Sequence, residues 1–228
     1  MTMPVATERQ CKINDSYPTS TLLALTKQLY GQNTLSLQQK LTTIYRPLYA
    51  PFSALLTATP VRSRVLDIGC GTGTFLLLAC RLRRLEIGYG FDCNRASLDV
   101  ARTANPFPNL CFIDDENALA CVVPEVTLLT CIDLLHHIPA SGRMAFLDRL
   151  LEPMRHGQQV LIKDLDPAPR WKALANDVTD YLSTRSVVSY IGMTDLVQHL
   201  EARGFSVDLA VRLDKHIWSH YLVGAIKR

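Results

Sequence analysis

The sequence predicts an α/β protein, a three-layer sandwich in which helices cover both faces of a mostly parallel sheet. From residue 60 onward, short apolar runs alternate with helical stretches, which is typical of a parallel sheet with helical crossovers. Near the end of the chain, a short turn joins the apolar runs 205–213 and 220–226. That final pair is therefore expected to be antiparallel, because parallel strands need a long crossover. The 228 residues are 48% hydrophobic, which is enough to bury one sizeable core.

Residues 1–59 are predicted to form an N-terminal helical cap on a main domain of residues 60–228. Leucines recur at helical spacing between residues 21 and 59, and Gly31 and two later prolines divide this stretch into two or three short helices. The first residues are polar and lack the basic start and apolar core of a signal peptide.

The predicted elements of the main domain follow one another in a regular order. The strands are expected at residues 65–68, 87–91, 110–113, 126–132 and 159–163, before the final pair. The helices are expected at residues 74–84, 95–103, 141–151 and 194–203, the last of them ending at Gly204. A helical insertion is expected at about 166–190, because residues 171–182 have an amphipathic pattern.

Composition argues against several classes of protein. Lys and Arg number 24 against 21 Asp and Glu, and a net charge of +3 is too small to predict a nucleic-acid partner. The longest apolar stretch, residues 118–135, is broken by a proline and two acidic residues, so no membrane span is predicted. The seven cysteines form no Cys-x-x-Cys pair, which favours free thiols in a reducing compartment over disulfides or a metal site. We expect a cytoplasmic protein without a bound metal.

The first predicted strand runs into a glycine-rich turn. Residues 65–68 are followed by Gly69, Gly71 and Gly73, and a helix is expected to begin at Thr74. Glycine allows a tight turn and lets a ligand approach the backbone closely. The N-terminus of the helix adds unpaired N–H groups that attract polar ligand atoms. The spacing Gly-x-Gly-x-Gly differs from the Gly-x-Gly-x-x-Gly pattern of dinucleotide-binding proteins.

Two acidic residues are expected to act together with this turn. Asp92 ends the next strand, about twenty residues further on, where a carboxylate can accept hydrogen bonds from both hydroxyl groups of a ribose. Asp67 lies just before the glycines and is expected to organise the turn or to balance a ligand ammonium group indirectly.

The segment VLDIGCGTG, residues 65–73, resembles the first motif of class I S-adenosylmethionine-dependent methyltransferases. Further segments resemble the later motifs of this family in the same order: residues 89–92, 111–117, 130–139 and 201–205. The resemblance covers about residues 61–228. It implies a Rossmann-like fold with a seven-stranded sheet whose last strand is antiparallel. It also implies S-adenosylmethionine as the methyl donor and S-adenosylhomocysteine as its product.

The resemblance also implies residue roles around the cofactor. Asp67, Gly69, Gly71 and Gly73 would belong to the cofactor site, and Asp92 would bind the ribose. An acid of the third motif would meet the adenine amino group. Two neighbours, Asp114 and Asp115, compete for this role, and we prefer Asp114 because the run DDEN then matches the usual order of the motif.

The methyl acceptor is expected at the carboxyl ends of the parallel strands. The polar side chains predicted there are Asp133, His136 and His137 after the fourth strand, Lys163, Asp164 and Asp166 after the fifth, and residues 214–220. His137 is the first candidate for a general base, His216 is the second, and Asp133 completes the candidate catalytic set. The alternative for His137 is a role in packing and hydrogen bonding only.

Residues 21–59 and the insertion are expected to cover the crevice, and their aromatic side chains either form an apolar substrate pocket or pack the helices. Residues 163–177 and 189–205 resemble small methyltransferases of bacterial polyketide and aryl-polyene pathways, which implies a phenolic, quinone-like or carrier-tethered acyl substrate. An RNA or protein methyltransferase is the second hypothesis. It is disfavoured by the charge and by the lack of an Asn/Asp-Pro-Pro-aromatic signature, since residues 131–135 read CIDLL. A non-catalytic cofactor-binding partner is the third. The acceptor atom and the oligomeric state stay open.

Overall fold

The computed structural model describes residues 16–167, 190–215 and 218–228. The predicted helix 171–182 and the candidate base His216 lie outside the described residues.

The elements of the described chain are numbered here in chain order. The α-helices are α1 Thr19–Leu29, α2 Leu37–Thr43, α3 Phe52–Ala58, α4 Thr74–Arg81, α5 Arg95–Ala104, α6 Leu119–Val122, α7 Ala140–Leu151 and α8 Met193–Ala202. The strands are β1 Ser63–Ile68, β2 Leu85–Phe91, β3 Leu110–Ile113, β4 Leu128–Ile132, β5 Gln159–Leu165, β6 Phe205–Lys215 and β7 Trp218–Lys227. Short 3-10 helices lie at Arg46–Leu48, Glu116–Ala118, Val123–Glu125 and Leu135–His137.

The strands form one sheet in the order β3-β2-β1-β4-β5-β7-β6 among the described residues. The first five strands pair in parallel, and β7 pairs antiparallel with both β5 and β6. The predicted fold class is therefore confirmed, including the antiparallel last strand. Because the order reverses between β1 and β4, the carboxyl ends of these strands flank a crevice where ligands of open α/β sheets bind.

Two boundaries differ from the prediction in ways that affect the site. Residues 116–125 form short helical turns, and β4 begins at Leu128 rather than at residue 126. Strand β7 begins at Trp218, two residues before the predicted start at residue 220, so His220 lies within the strand and not at the end of the turn. Pairing on both sides explains the longer strand, because His220 lies opposite Leu165 of β5 and Leu213 of β6.

Each face of the sheet carries its own cluster of buried side chains. The N-terminal helices belong to the cluster on the α4 face, where Leu22, Tyr30 and Leu55 join Leu76 of α4 and Val65 of β1. The other face is covered by α7 and α8, through residues that include Leu147, Leu150, Leu196 and Leu200. The cap therefore packs directly on the layer that carries the glycine turn. Among the described residues, no helix has both the length and the hydrophobicity that a membrane crossing requires.

Candidate active site

The glycine turn between β1 and α4 is built from three left-handed residues. Gly69, Gly71 and Gly73 have φ values of +74°, +55° and +78°. Residues that carry a Cβ rarely adopt this left-handed region of the backbone. A Cβ on Gly69 would lie 2.8 Å from Leu134, and one on Gly73 would lie 2.7 Å from Phe112. Gly71 differs, because no atom of the described residues, apart from its two chain neighbours, lies within 4 Å of the position of its Cβ. Packing thus requires two of the three glycines, and Gly71 faces open space.

Asp92 is tied to this turn. Its Oδ2 accepts a hydrogen bond of 2.7 Å from the Gly71 N–H, and its Oδ1 accepts one of 2.8 Å from the Asn94 N–H. The residue is half-buried, and a carboxylate has lone pairs beyond those used in these two hydrogen bonds. This position suits the hydroxyl groups of a ribose.

Asp67 lies beneath the turn and is buried. Its Oδ1 accepts a hydrogen bond of 2.7 Å from the Thr130 hydroxyl. Burial raises the pKa of Asp67 to about 7, against the lowering effects of the Thr130 hydrogen bond and of the Arg46 charge. A carboxyl group near its midpoint at neutral pH responds strongly to any charge placed beside it.

The cap holds the outer side of the turn. The Tyr30 hydroxyl donates a hydrogen bond of 2.8 Å to the Thr72 carbonyl and lies 3.1 Å from the Thr74 hydroxyl. The Thr43 hydroxyl lies 3.2 Å from that of Thr72. Burial raises the pKa of Tyr30, so the hydroxyl stays protonated and keeps donating. The sequence identified Tyr30 only as an aromatic residue of the cap.

The two acids of the third motif have different partners. The Asp115 Oδ1 accepts hydrogen bonds of 2.9 Å from both the backbone and the side-chain nitrogen of Asn117. Asp115 thereby caps the N-terminus of the 3-10 helix Glu116–Ala118. Asp114 lies 3.6 Å from Arg95 and 3.7 Å from Arg102, and it is 38% exposed. The carboxylate of Asp115 is thus used by its own turn, whereas that of Asp114 makes only loose ion pairs.

A cluster of charges lies where β4 and β5 end. Asp133 follows β4 in a left-handed conformation, with φ of +54°. Its Oδ1 accepts a hydrogen bond from the Lys163 ammonium, and its Oδ2 lies 2.7 Å from Nη2 of Arg46, which comes from the cap. Burial alone would raise the pKa of Asp133, but the charges of Lys163 and Arg46 outweigh it and hold the pKa well below its usual range. Asp133 is therefore an anion that links the cap to the sheet and a poor proton acceptor near pH 7.

The two histidines after β4 differ in their surroundings. His136 is buried, and its Nδ1 forms a hydrogen bond with Oδ1 of Asp164. His137 is exposed, and its ring centroid lies 4.0 Å from that of His136. Loss of hydration among the surrounding protein atoms, followed by the charge of His136, lowers the pKa of His137 to about 4. His137 is thus a neutral imidazole at pH 7.

Asp133, His136 and Asp164 bring ligand atoms within 4.8 Å of one another. Both carboxylates are already engaged, Asp133 by Lys163 and Asp164 by His136. A metal ion at this point would have to compete with the buried Lys163 ammonium. A reaction without a bound metal stays our prediction.

A further histidine in this region was predicted to face the crevice but was given no role. His220 of β7 is buried, and its Nε2 lies 3.1 Å from the carbonyl oxygen of Tyr49 in the cap. Its Nδ1 is buried without a hydrogen-bond partner in the part of the chain that the structure describes. Burial, followed by the charge of Lys163, lowers the pKa of His220 to about 3. Only its place within the predicted turn 214–220 had pointed to the crevice.

Residues 39–210 match the sequence profile of the family described as the methyltransferase domain. The chain belongs to this family. The class I S-adenosylmethionine-dependent methyltransferase that the motifs implied is thereby confirmed, together with its cofactor. The match begins within α2, so it includes part of the predicted cap.

One curated relative of this methyltransferase matches part of the chain. It is 33% identical over 90 residues to an indolepyruvate C-methyltransferase from Streptomyces griseus, a stretch that covers 37% of this chain and 27% of the relative. The chain thus matches about a quarter of the length of that protein.

Two solved structures share the fold over most of the chain. A magnesium protoporphyrin IX methyltransferase from Synechocystis PCC 6803, with bound S-adenosylhomocysteine, is 16% identical with a TM-score of 0.63, and 92% of this chain and 96% of that chain are covered. An O-methyltransferase family protein from Burkholderia thailandensis is 15% identical with a TM-score of 0.67, over 90% of this chain and 63% of that chain.

The residues of the crevice fit the cofactor of this methyltransferase. The open space at Gly71 leaves the turn accessible to a ligand, since nothing in the described protein occupies the place of a Cβ there. Asp92 keeps hydrogen-bonding capacity beside it, and the first turn of α4 directs backbone N–H groups to the same point.

Proposed function

We propose that the methyltransferase transfers a methyl group from S-adenosylmethionine to a small molecule, of a phenolic, quinone-like or carrier-tethered acyl class, in a biosynthetic pathway in the cytoplasm. The observation that carries this proposal is the docking of the cap across the crevice. Tyr30 contacts the glycine turn, Arg46 contacts Asp133, and the Tyr49 carbonyl contacts His220. An acceptor must fit beneath these residues, which a small molecule or the arm of a carrier can do and a folded macromolecule cannot.

The proposed division of labour follows from the charges of the site. The cofactor is held by the glycine turn and two acids, namely Gly69, Gly71, Gly73, Asp67 and Asp92. An acid of the third motif completes the site. Asp114 is favoured over Asp115 for this role, because its ion pairs are looser. The bound cofactor supplies a methyl group on a positively charged sulfur, which is already an activated electrophile. The protein has to align an acceptor with that methyl group and exclude water.

The acceptor side offers neutral imidazoles and a fixed anion. Asp133 stays ionised between Lys163 and Arg46, so we assign it the role of fixing these two cations. His137 has a neutral ring at pH 7, with a lone pair that can accept a hydrogen bond or a proton from the acceptor. His216, outside the described residues, stays a second candidate.

The proposal is tested by transfer of labelled methyl groups from S-adenosylmethionine into an extract of the source organism. We expect label in a solvent-extractable product. Label on an acyl group that hydrolysis releases from a carrier protein would also support the proposal. Label only in other macromolecules would overturn it in favour of a protein or RNA substrate, which protease and nuclease treatment would separate. Binding of S-adenosylhomocysteine without any transfer would favour a non-catalytic partner.

Asp67 is expected to make cofactor binding depend on pH. Its pKa is raised to about 7, so the carboxyl is largely protonated below that pH in the free enzyme. An ammonium group of the ligand nearby would favour the ionised form, so binding releases a proton. The affinity for S-adenosylhomocysteine should therefore rise with pH up to about 7, by as much as about tenfold per unit. Calorimetric titrations between pH 5.5 and 8 measure this slope.

The matched variants are Asp67→Asn and, as a control, Asp208→Asn on the exposed part of β6. The first should flatten the pH dependence of binding, and the second should keep it. An unchanged slope in Asp67→Asn would assign the proton to another group.

His137→Ala is expected to lower kcat by about tenfold or more while the affinity for S-adenosylhomocysteine is kept, because the variant loses only an acceptor-side imidazole. The same change at His156, an exposed residue before β5, is the control. Since His137 titrates near pH 4, its contribution should add no inflection to kcat between pH 5 and 8. Steady-state kinetics with the identified acceptor give both results, and an unchanged kcat would remove His137 from the reaction.

A further inference from the structure

Lys163 and His220 project from neighbouring strands toward the cap. Lys163 lies opposite Leu222 in the antiparallel pair of β5 and β7, and His220 lies opposite Leu165. Lys163 and His220 are therefore diagonal neighbours, and such residues are about 7–8 Å apart, within reach of a shared ligand group. Side chains alternate between the two faces of a sheet. Leu222 belongs to the core cluster on the cap side, so His220, two residues away, faces the same side.

These two side chains have unused hydrogen-bonding capacity. The Lys163 ammonium has three N–H groups, and its hydrogen bond in the described structure goes to Oδ1 of Asp133. The His220 Nε2 faces the Tyr49 carbonyl, which can only accept, so we assign the proton of the neutral ring to Nε2. Its buried Nδ1 is then a lone-pair acceptor without a donor among the described residues. A buried donor and a buried acceptor thus stand side by side, each able to bind one more group.

Burial decreases from this pair toward solvent. The side chain of Lys163 is 1% exposed, that of Asp133 is 15% exposed and that of Arg46 is 23% exposed. Lys163 and His220 therefore form the inner end of a row of polar groups whose outer end, at Arg46, reaches water. All four residues lie at the edge of the sheet where β4 and β5 end and β7 begins, which is the acceptor side of the crevice.

The chemistry of the pair selects among ligand groups. A carboxylate accepts from an ammonium but has no proton to donate to Nδ1. An alkylammonium donates to Nδ1 but is repelled by Lys163. A hydroxyl group satisfies both, since it donates its proton to one partner and accepts from the other. We propose that Lys163 and His220 form a subsite that binds a hydroxyl group of the methyl acceptor, such as that of a phenol or an enol. The subsite deepens the proposed function and rests on it.

The test uses the enzyme saturated with S-adenosylhomocysteine and labelled with nitrogen-15 in histidine. Phenol is the probe, and fluorobenzene is a control of similar shape without the hydroxyl. We expect phenol to shift the signal of the His220 Nδ1 and to bind about tenfold or more tightly than fluorobenzene, because a site built for a hydroxyl discriminates against analogues that lack it.

Two variants separate the subsite from a structural role. His220→Gln keeps a nitrogen donor for the Tyr49 carbonyl and replaces the Nδ1 lone pair with an amide oxygen at a different position. It should therefore bring the affinity for phenol close to that for fluorobenzene. His156→Gln, at the opposite edge of the sheet, should bind both probes as the wild type does.

Three results would overturn the subsite. Phenol and fluorobenzene would bind alike, or His220→Gln would bind phenol like the wild type. In the third result, the Nδ1 signal would already be that of a hydrogen-bonded nitrogen before phenol is added, and it would not change on addition. This would mean that a water molecule bridges Lys163 and His220 and that the pair binds no acceptor hydroxyl. Binding of S-adenosylhomocysteine is measured first, by calorimetry. If S-adenosylhomocysteine does not bind, this counts against the proposed function. Phenol is then titrated in the absence of S-adenosylhomocysteine, and this titration still decides whether Lys163 and His220 form the subsite.

Discussion

Replacing Gly71 with alanine is expected to weaken the binding of S-adenosylhomocysteine by about tenfold or more while the fold is kept. Beyond its two chain neighbours, the new Cβ meets no atom of the described chain within 4 Å, so no steric clash is expected there. It projects into the space that we assign to the cofactor, beside the N–H that donates to Asp92. The measurement is a calorimetric titration, accompanied by thermal unfolding to follow stability.

Gly157→Ala is the control for the effect on the backbone. Gly157 also has a left-handed φ, +85°, and open space around its Cβ position, but it precedes β5 at the opposite edge of the sheet. Both variants should lose about 1–2 kcal/mol of stability from the left-handed conformation. Only Gly71→Ala should lose affinity. Equal affinities in the two variants would contradict the placement of the cofactor at this turn.

Asp133→Asn is expected to give the largest loss of stability among single changes in the crevice, about 3–5 kcal/mol in the free energy of unfolding. It leaves the ammonium of Lys163 buried without a compensating anion and removes the ion pair that fixes Arg46 of the cap. The double variant Asp133→Asn, Lys163→Met should recover much of this loss, because it removes the uncompensated charge as well. Denaturant unfolding measures both values.

The exposed ion pairs of Glu86 provide the control. Glu86 lies 3.8 Å from Arg62 and 3.7 Å from Arg64 and is 45% exposed, so Glu86→Gln should change stability by less than about 1 kcal/mol. A similarly small effect of Asp133→Asn would mean that the buried cluster is not energetically coupled to the fold.

The pH dependence of this contribution has a defined sign. The pKa of Asp133 is held well below its ordinary value of 3.8, so its ion pairs stabilise the folded state above that pH. The stabilisation is lost as the pH falls through the lowered pKa of the folded state. The ionisation of Asp133 itself should therefore add no pH dependence to the stability of the wild-type protein between pH 5 and 8.

The sheet could be predicted from the sequence because each strand and helix of the main domain leaves a local pattern of apolar residues along the chain. The glycine turn was predictable as well, since Gly69, Gly71 and Gly73 follow a buried strand and need left-handed backbone. The short turns at 116–125 were missed, because an apolar run interrupted by one proline reads equally well as the approach to a strand.

The contacts that close the site could not be predicted from local patterns. Tyr30 and the Thr72 carbonyl are 42 residues apart, and Arg46 and Asp133 are 87 residues apart. Both pairs depend on how the cap packs on the α4 layer. Asp133 could be placed after β4 as a candidate catalytic residue, but the two cations that suppress its basicity became visible only in three dimensions.

The measurement that tests the central claim most directly is a calorimetric titration of the purified protein with S-adenosylhomocysteine. We predict saturable binding at one site per chain, weakened in Gly71→Ala and kept in Gly157→Ala. An absence of binding to the wild-type protein would contradict the assignment of the glycine turn and Asp92 as a cofactor site, and with it the methyl-transfer function proposed here.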